Sequence, residues 1–217
     1  MIALSLGEAE ALARKAARGA GRSWGMAEEF GRAVRWLEGS GLPAMALLAT
    51  LLARTDGMAA TRLTPSWEAN TGLVHPDATP LCPIALGTAL SDHGITSCTL
   101  GRIGPVWAPV FVVPHLADMA RRLGQDYWLI CGETRVCVTA QGAYAGHDGP
   151  APDQAQAAWI ACAPCDAPPS VPTYHHARAD CEAGVYNHLS RLAERLYAPE
   201  TAARRQSGAG ETRPGTD

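Results

Sequence analysis

Residues 4–37, LSLGEAEALARKAARGAGRSWGMAEEFGRAVRWL, decide how this chain begins to fold. Ser5 followed by Glu8 is a capping box. The serine oxygen takes an orphan N–H at a helix start, and the glutamate reaches back to the serine N–H. The spacing predicts a helix from about Leu6 to Arg18, with Ala9, Leu12, Ala13, Ala16 and Ala20 on one face. That face is built of small residues, so a neighbour can approach closely. Gly19 and Gly21 then supply the left-handed backbone that commonly ends a helix. A second helix is predicted from about Met26 to Leu37, with Met26, Phe30, Ala33, Val34 and Leu37 as its apolar stripe. Gly25 stands as its N-cap, which puts Glu28 within reach of the cap. Glu28 and Arg32 are four apart on the wet side and form a pair.

The corner between these helices is the leading candidate site: Arg18, Arg22, Ser23, Trp24, Gly25, Glu28 and Glu29. Free N–H groups at a helix start, a glycine that lets a ligand approach and two flanking arginines describe an anion site. Glu28 and Glu29 compete with it, because an acidic first turn complements the helix dipole. Ser23 reads as a cap and Trp24 as a hydrophobic staple. The partner expected here is a small anionic metabolite, or a partner enzyme beside which the protein acts. The alternatives are an enzyme in which Glu28 or Glu29 performs proton transfer or hydrolysis, or a metalloprotein ligated through Cys162, Cys165 and Cys181.

Outward from this block, Gly39-Ser-Gly41 closes the second helix and Pro43 opens a third in its first turn. AMALLATLLAR is apolar nearly all round and reads as the central, buried helix. Thr55 to Pro80 reads as a long connection with room for one short strand. PLCPIALGTAL reads either as a strand or as a piece of buried helix. VWAPVFVVP (106–114) reads as a strand and HLADMARRLG (115–124) as a short helix ended by Gly124. DYWLICG (126–132) and TRVCVTA (134–140) form a hairpin through Gly132-Glu133. AWIACAP (158–164) is a further strand. Asp180 to Tyr197 is an amphipathic helix with Val185, Leu189, Leu192 and Leu196 as its stripe. After Pro199 the composition is too polar to order itself.

The expected fold is α+β: a three-helix N-terminal layer on a small mixed or antiparallel sheet, with a C-terminal helix. The expected organisation is one domain over residues 1–199, with a helical layer at 1–55, a sheet-forming part at 81–165 and a disordered tail at 200–217.

The chain has 217 residues, 47% of them apolar, which suits one globular domain or two small ones. Its net charge is −3 and Lys15 is the only lysine, with no basic run. A nucleic-acid surface draws on clustered Lys and Arg, so none is expected. The longest strongly apolar stretch, Pro43 to Ala53, is about half a membrane span. The start MIALSLGEAE lacks the basic region of a secretory signal. The seven cysteines are therefore expected as reduced thiols in a cytoplasm. Self-association is left open.

Cys162 and Cys165, with Cys181 and His175-His176 beyond, have a spacing that zinc uses. A second C-x-x-C is missing, and Asp-Ala-Pro-Pro after Cys165 reads as loop rather than the helix a redox pair needs. Buried thiols without metal are the expectation. Ser91-Asp-His93-Gly94 with Cys98 offers a nucleophile and base but no third orienting group. His147-Asp148-Gly149 reads as a turn, and His188 as a partly buried, hydrogen-bonded histidine. No Walker loop, strand-bound G-x-G-x-x-G or H-E-x-x-H occurs, and the sequence leaves any cofactor unknown.

From Lys15 the pattern KAARGAG-x-SWG-x-AEE-x-G-x-A-x-x-WL resembles the opening of a bacterial family known as domain of unknown function 3726. Tyr197-Ala-Pro199, Arg205, Gly208-Ala-Gly210 and Asp217 are similar to that family's close. The resemblance implies a bacterial, soluble protein and names no activity.

Overall fold

The computed structural model describes residues 1–68, 72–74, 78–93, 102–169 and 175–197. Residues 198–217, and with them all of the C-terminal resemblance except Tyr197, lie outside these residues, as do Gly94 and Cys98.

Strand β1 (Ile2–Ser5) leads directly into helix α1 (Leu6–Gly19). The capping box is present: the Ser5 N–H donates to Glu8 Oε2 at 2.7 Å, and the Glu8 N–H to Ser5 Oγ at 3.2 Å. The Ser5 N–H and then the Ser5 hydroxyl, both donating to Glu8 Oε2, hold the Glu8 carboxyl below the usual carboxylate range. Ala9, Ala13, Ala16 and Ala17 are fully buried. Helix α2 (Trp24–Gly39) packs on one side of this small-residue face, burying Ala27, Phe30, Ala33, Val34 and Leu37. Helix α3 (Ala44–Thr55) buries Met45, Leu47, Leu48, Leu51 and Leu52, as its all-round apolarity requires. Pro43 stands at its N-cap, outside the first turn, and makes no side-chain cap. The Glu38 carboxylate caps α3 instead, accepting from the Ala44 and Met45 N–H groups at 2.9 Å each. Burial raises the Glu38 pKa against those bonds.

The connection after α3 holds more structure than expected: a one-turn helix α4 (Ala60–Leu63), then strands β2 (Ser66–Glu68) and β3 (Gly72–Val74) paired antiparallel. PLCPIALGTAL resolves into helix α5 (Pro83–His93). The stretch 106–114 is not the strand its residues suggest. Only β4 (Val106–Trp107) is extended; a 3-10 turn (Pro109–Val112) and helix α6 (Val113–Leu123) follow. Val110, Phe111, Val112 and Val113 are all buried, and a run buried on every side carries no period that separates strand from helix. Gly124 ends α6 at φ 66°, as expected.

The hairpin is present as β5 (Tyr127–Cys131) and β6 (Thr134–Val138). Strands β7 (Tyr144–Asp148) and β9 (Ala161–Pro164) flank it in an antiparallel sheet ordered β7-β6-β5-β9, while β8 (Gln156–Ala157) pairs with β4. His147 and Asp148 thus end a strand, with the turn beginning at Gly149. Near the C-terminus the predicted helix start is corrected: Asp180 belongs to strand β10 (Arg178–Cys181), and helix α7 runs Ala183–Glu194. Strand β10 pairs antiparallel with β1, Ile2 opposite Cys181. Helix α7 buries Leu189 and Leu192 against the other side of α1.

The fold is α+β, with the helical layer on the sheet-bearing part and α7 beside α1. One contiguous core joins the helical and sheet residues. Phe30 of α2 and Phe111 meet across the layers with ring centroids 6.4 Å apart.

Candidate functional site

The α1–α2 corner is tighter than the sequence suggests. Gly21 takes φ 88° and the chain turns within four residues, Ala20 to Ser23. Ser23, not Gly25, is the N-cap of α2; its Oγ accepts from the Met26 N–H at 3.3 Å. The helix therefore starts at Trp24, and Glu28 and Glu29 fall in its second turn. Its first turn carries no acidic residue.

Each glutamate is engaged elsewhere. Glu28 pairs with Arg14 of α1 at 3.3 Å, and Glu29, rather than Glu28, pairs with Arg32 at 2.8 Å. Both pairs are at the surface, where such contacts contribute little. The predicted Glu28–Arg32 pair does not form. Carboxylates held this way are poor candidates for an acid or base.

The two arginines have no carboxylate among the described residues. Arg22 is 6% exposed and donates from one terminal nitrogen to the Thr55 carbonyl at 2.7 Å and to the Thr55 hydroxyl. Its Nε is buried without a partner. Burial lowers the pKa of this guanidinium, against the opposing pull of Cys82 and Asp56. Asp56 itself is bound by Arg195 at 2.8 Å. Arg18 donates to the Arg22 carbonyl at 2.7 Å, and its own Nε is also buried and unpartnered. The Arg18 guanidinium lies 5.1 Å from the centre of the Trp24 ring. Trp24 is 63% exposed, so it is no staple. A Cβ at Gly25 would meet nothing within 4 Å, which leaves open space over the start of α2. The Ser23 cap takes Met26 and the Ser23 carbonyl takes Ala27. The Trp24 and Gly25 N–H groups keep no acceptor among the described residues.

The cysteine group does not assemble. Cys162 belongs to the main core, whereas Cys165 lies on the opposite face of the sheet beside Cys137, Ala145 and Trp128. Positions three apart along a strand point to opposite faces. Cys181 sits at the β1–β10 pair. Among the described residues no three His, Cys, Asp or Glu side chains gather as metal ligands. His188 is partly buried, with an Nε2 that has no hydrogen-bond partner.

The sequence reading passed over a cleft of about 530 Å³ beside the C-terminal half of α2. Arg32, Arg35, Trp36, Tyr144, His175 and His176 line it. Only one signal for it was available: Arg32, Arg35, Trp36 and Gly39 recur at helical spacing opposite the buried stripe.

Residues 4–74 match the family described as Protein of unknown function (DUF3726). That segment carries the whole corner and the α2 side of the cleft. No curated protein matches the chain, and no solved structure does. No helix among the described residues is long and apolar enough to cross a membrane.

Proposed function

We propose that this is a bacterial, cytoplasmic small-anion-binding protein whose corner at Arg18–Gly25 takes a compact oxyanion, free or carried by a partner enzyme. The reading rests on one observation: α2 opens with unaccepted N–H groups and no acidic residue in its first turn, beside two arginines that form no ion pair among the described residues. A helix start in that condition attracts negative charge. Arg18 and the open space over Gly25 are the contact surface; Ser23 and buried Arg22 hold the geometry. The thiols of Cys82, Cys131, Cys137, Cys165 and Cys181, buried and without a disulfide among the described residues, suit a reducing compartment.

Isothermal titration with inorganic phosphate and sulfate tests this. Arg18→Ala is expected to weaken binding about tenfold, the value of one charge-assisted hydrogen bond. Gly25→Ala gives a sharper test. Alanine is the better helix former, so the variant should melt higher by up to about 1 kcal/mol of added stability. Its methyl group would nevertheless obstruct the approach to the N–H groups and weaken binding. If neither oxyanion binds, or both variants bind as the parent does, the corner is only structural.

A further inference from the structure

We propose that the cleft beside α2 is a second, separate site for an amphipathic carboxylate, a flat apolar body bearing one acid group. Its volume of about 530 Å³ lies within the range of small-molecule pockets. Three features define the ligand class.

The first is charge. Arg32 and Arg35 line the cleft together with His175 and His176, and no carboxylate is among the described lining residues. Arg32 and Arg35 do have acidic partners, Glu29 at 2.8 Å and Glu10 at 3.0 Å, but these carboxylates sit outside the cleft wall. Both arginines are more than half exposed, so those pairs are weak and the guanidinium forks can turn to an incoming carboxylate.

The second is apolar surface. Trp36, Leu6 and Ala143 contribute to the lining, and Trp36 and Tyr144 are aromatic. Flat apolar groups stack on such rings with a gain beyond that of simple burial. A bare oxyanion would leave that surface unused.

The third is a wall that is already formed. The His176 N–H donates to the Gly39 carbonyl at 2.9 Å, which ties the far wall to the end of α2. Gly41, at φ 75°, has no Cβ; one would press into the His176 ring, with Nε2 at 2.8 Å. Across the cleft, the Tyr144 hydroxyl and His147 Nδ1 are hydrogen-bonded at 2.6 Å. Binding therefore needs little reordering of the wall.

The probe is 2-naphthoate, read by amide NMR titration of the full chain. Its neutral isostere 2-naphthamide and the bare acid acetate serve as controls. Naphthoate should shift the resonances of Arg32, Arg35, Trp36, Tyr144 and His176. Naphthamide and acetate should each bind at least tenfold more weakly. Arg32→Gln combined with Arg35→Gln should lose at least tenfold in naphthoate affinity, and Ala143→Phe, which fills the cleft, should abolish binding. Arg18→Ala should leave naphthoate unaffected, which separates this site from the corner. The proposal is overturned if naphthoate produces no shifts there at millimolar concentration. It is equally overturned if naphthamide binds as well, if the double variant binds unchanged, or if Arg18→Ala removes the binding.

Discussion

Arg22 places a guanidinium at 6% exposure with hydrogen bonds to Thr55 and, among the described residues, no carboxylate in contact. Burying an unpaired charge costs several kcal/mol, so the residue is poorly explained by stability alone. A compact anion at the corner would offset part of that cost. From sequence, Arg22 and Arg18 look equivalent; the burial of Arg22 depends on α3 arriving beside the corner with Thr55, which no local pattern records. His115 is the second buried titratable group that the sequence hides. It lies on α6 against Gly87 of α5, where any Cβ would overlap its ring. Its Nε2 is buried without a partner. Burial pushes its pKa down to about 4, with Arg32 adding to that and Asp118 and Asp92 opposing it. The folded state therefore keeps the ring neutral where the unfolded chain, near 6.5, would protonate it. Stability from this group is fully present above about pH 6.5 and is lost as pH falls toward 4, by roughly 3 kcal/mol. Denaturant melts between pH 7 and pH 4 should show that slope, and His115→Gln should flatten it. An imidazole that titrates near pH 6.5 by NMR in the folded protein would refute the assignment.

At the scale of elements, α1 is the pivot, and its alanines explain why. A face of Ala9, Ala13, Ala16 and Ala17 lets α2 and α7 approach from two sides. Gly19 marks the closest approach: a Cβ there would overlap the Leu192 carbonyl of α7. Gly19→Ala should therefore destabilise by about 3 kcal/mol, because backbone must move rather than a side chain tip. Elsewhere in an exposed helix the same change stabilises. Thermal melts of Gly19→Ala beside Gly25→Ala should move in opposite directions; parallel shifts would mean that α7 does not pack as described. The elements that were legible are those whose signals are local. The Ser5–Glu8 box, the Gly132-Glu133 hairpin and the Gly124 stop each depend on a few neighbouring residues. The stretch Val106–Pro114 was not legible, because Val110, Phe111, Val112 and Val113 are buried on all sides. The start of α2 was misplaced for another reason. Ser23 and Gly25 are both good caps, and the choice between them moved Glu28 and Glu29 out of the first turn.

The whole molecule is closed by its two ends, and this bears on the segment that matches a family. Residues 4–74 contain α1, α2, α3 and the β2–β3 hairpin, but they do not contain what covers α1. Strand β1 finds its partner in β10, from Ile2 opposite Cys181 to Ser5 opposite Arg178. Leu189 and Leu192 of α7 are buried against the helical layer, each worth roughly 1.5–3 kcal/mol. Arg195 then ties the end of α7 to Asp56, just past α3, through both carboxylate oxygens at 2.8 and 2.9 Å. The closure joins residues more than a hundred positions apart, so no window of sequence displays it. On these grounds we propose that residues 1–199 form one folding unit. A fragment ending at residue 80 would expose the alanine face of α1 and lose the contacts of Phe30 with Phe111. Three helices without that cover bury too little surface to offset their ordering entropy. The fragment is expected to show weak helicity by circular dichroism and a broad, non-cooperative melt. Residues 1–199 should melt in one sharp transition with the same midpoint by tryptophan fluorescence and by helicity. A sharp transition in the short fragment would divide the molecule into two domains and make the helical layer self-sufficient.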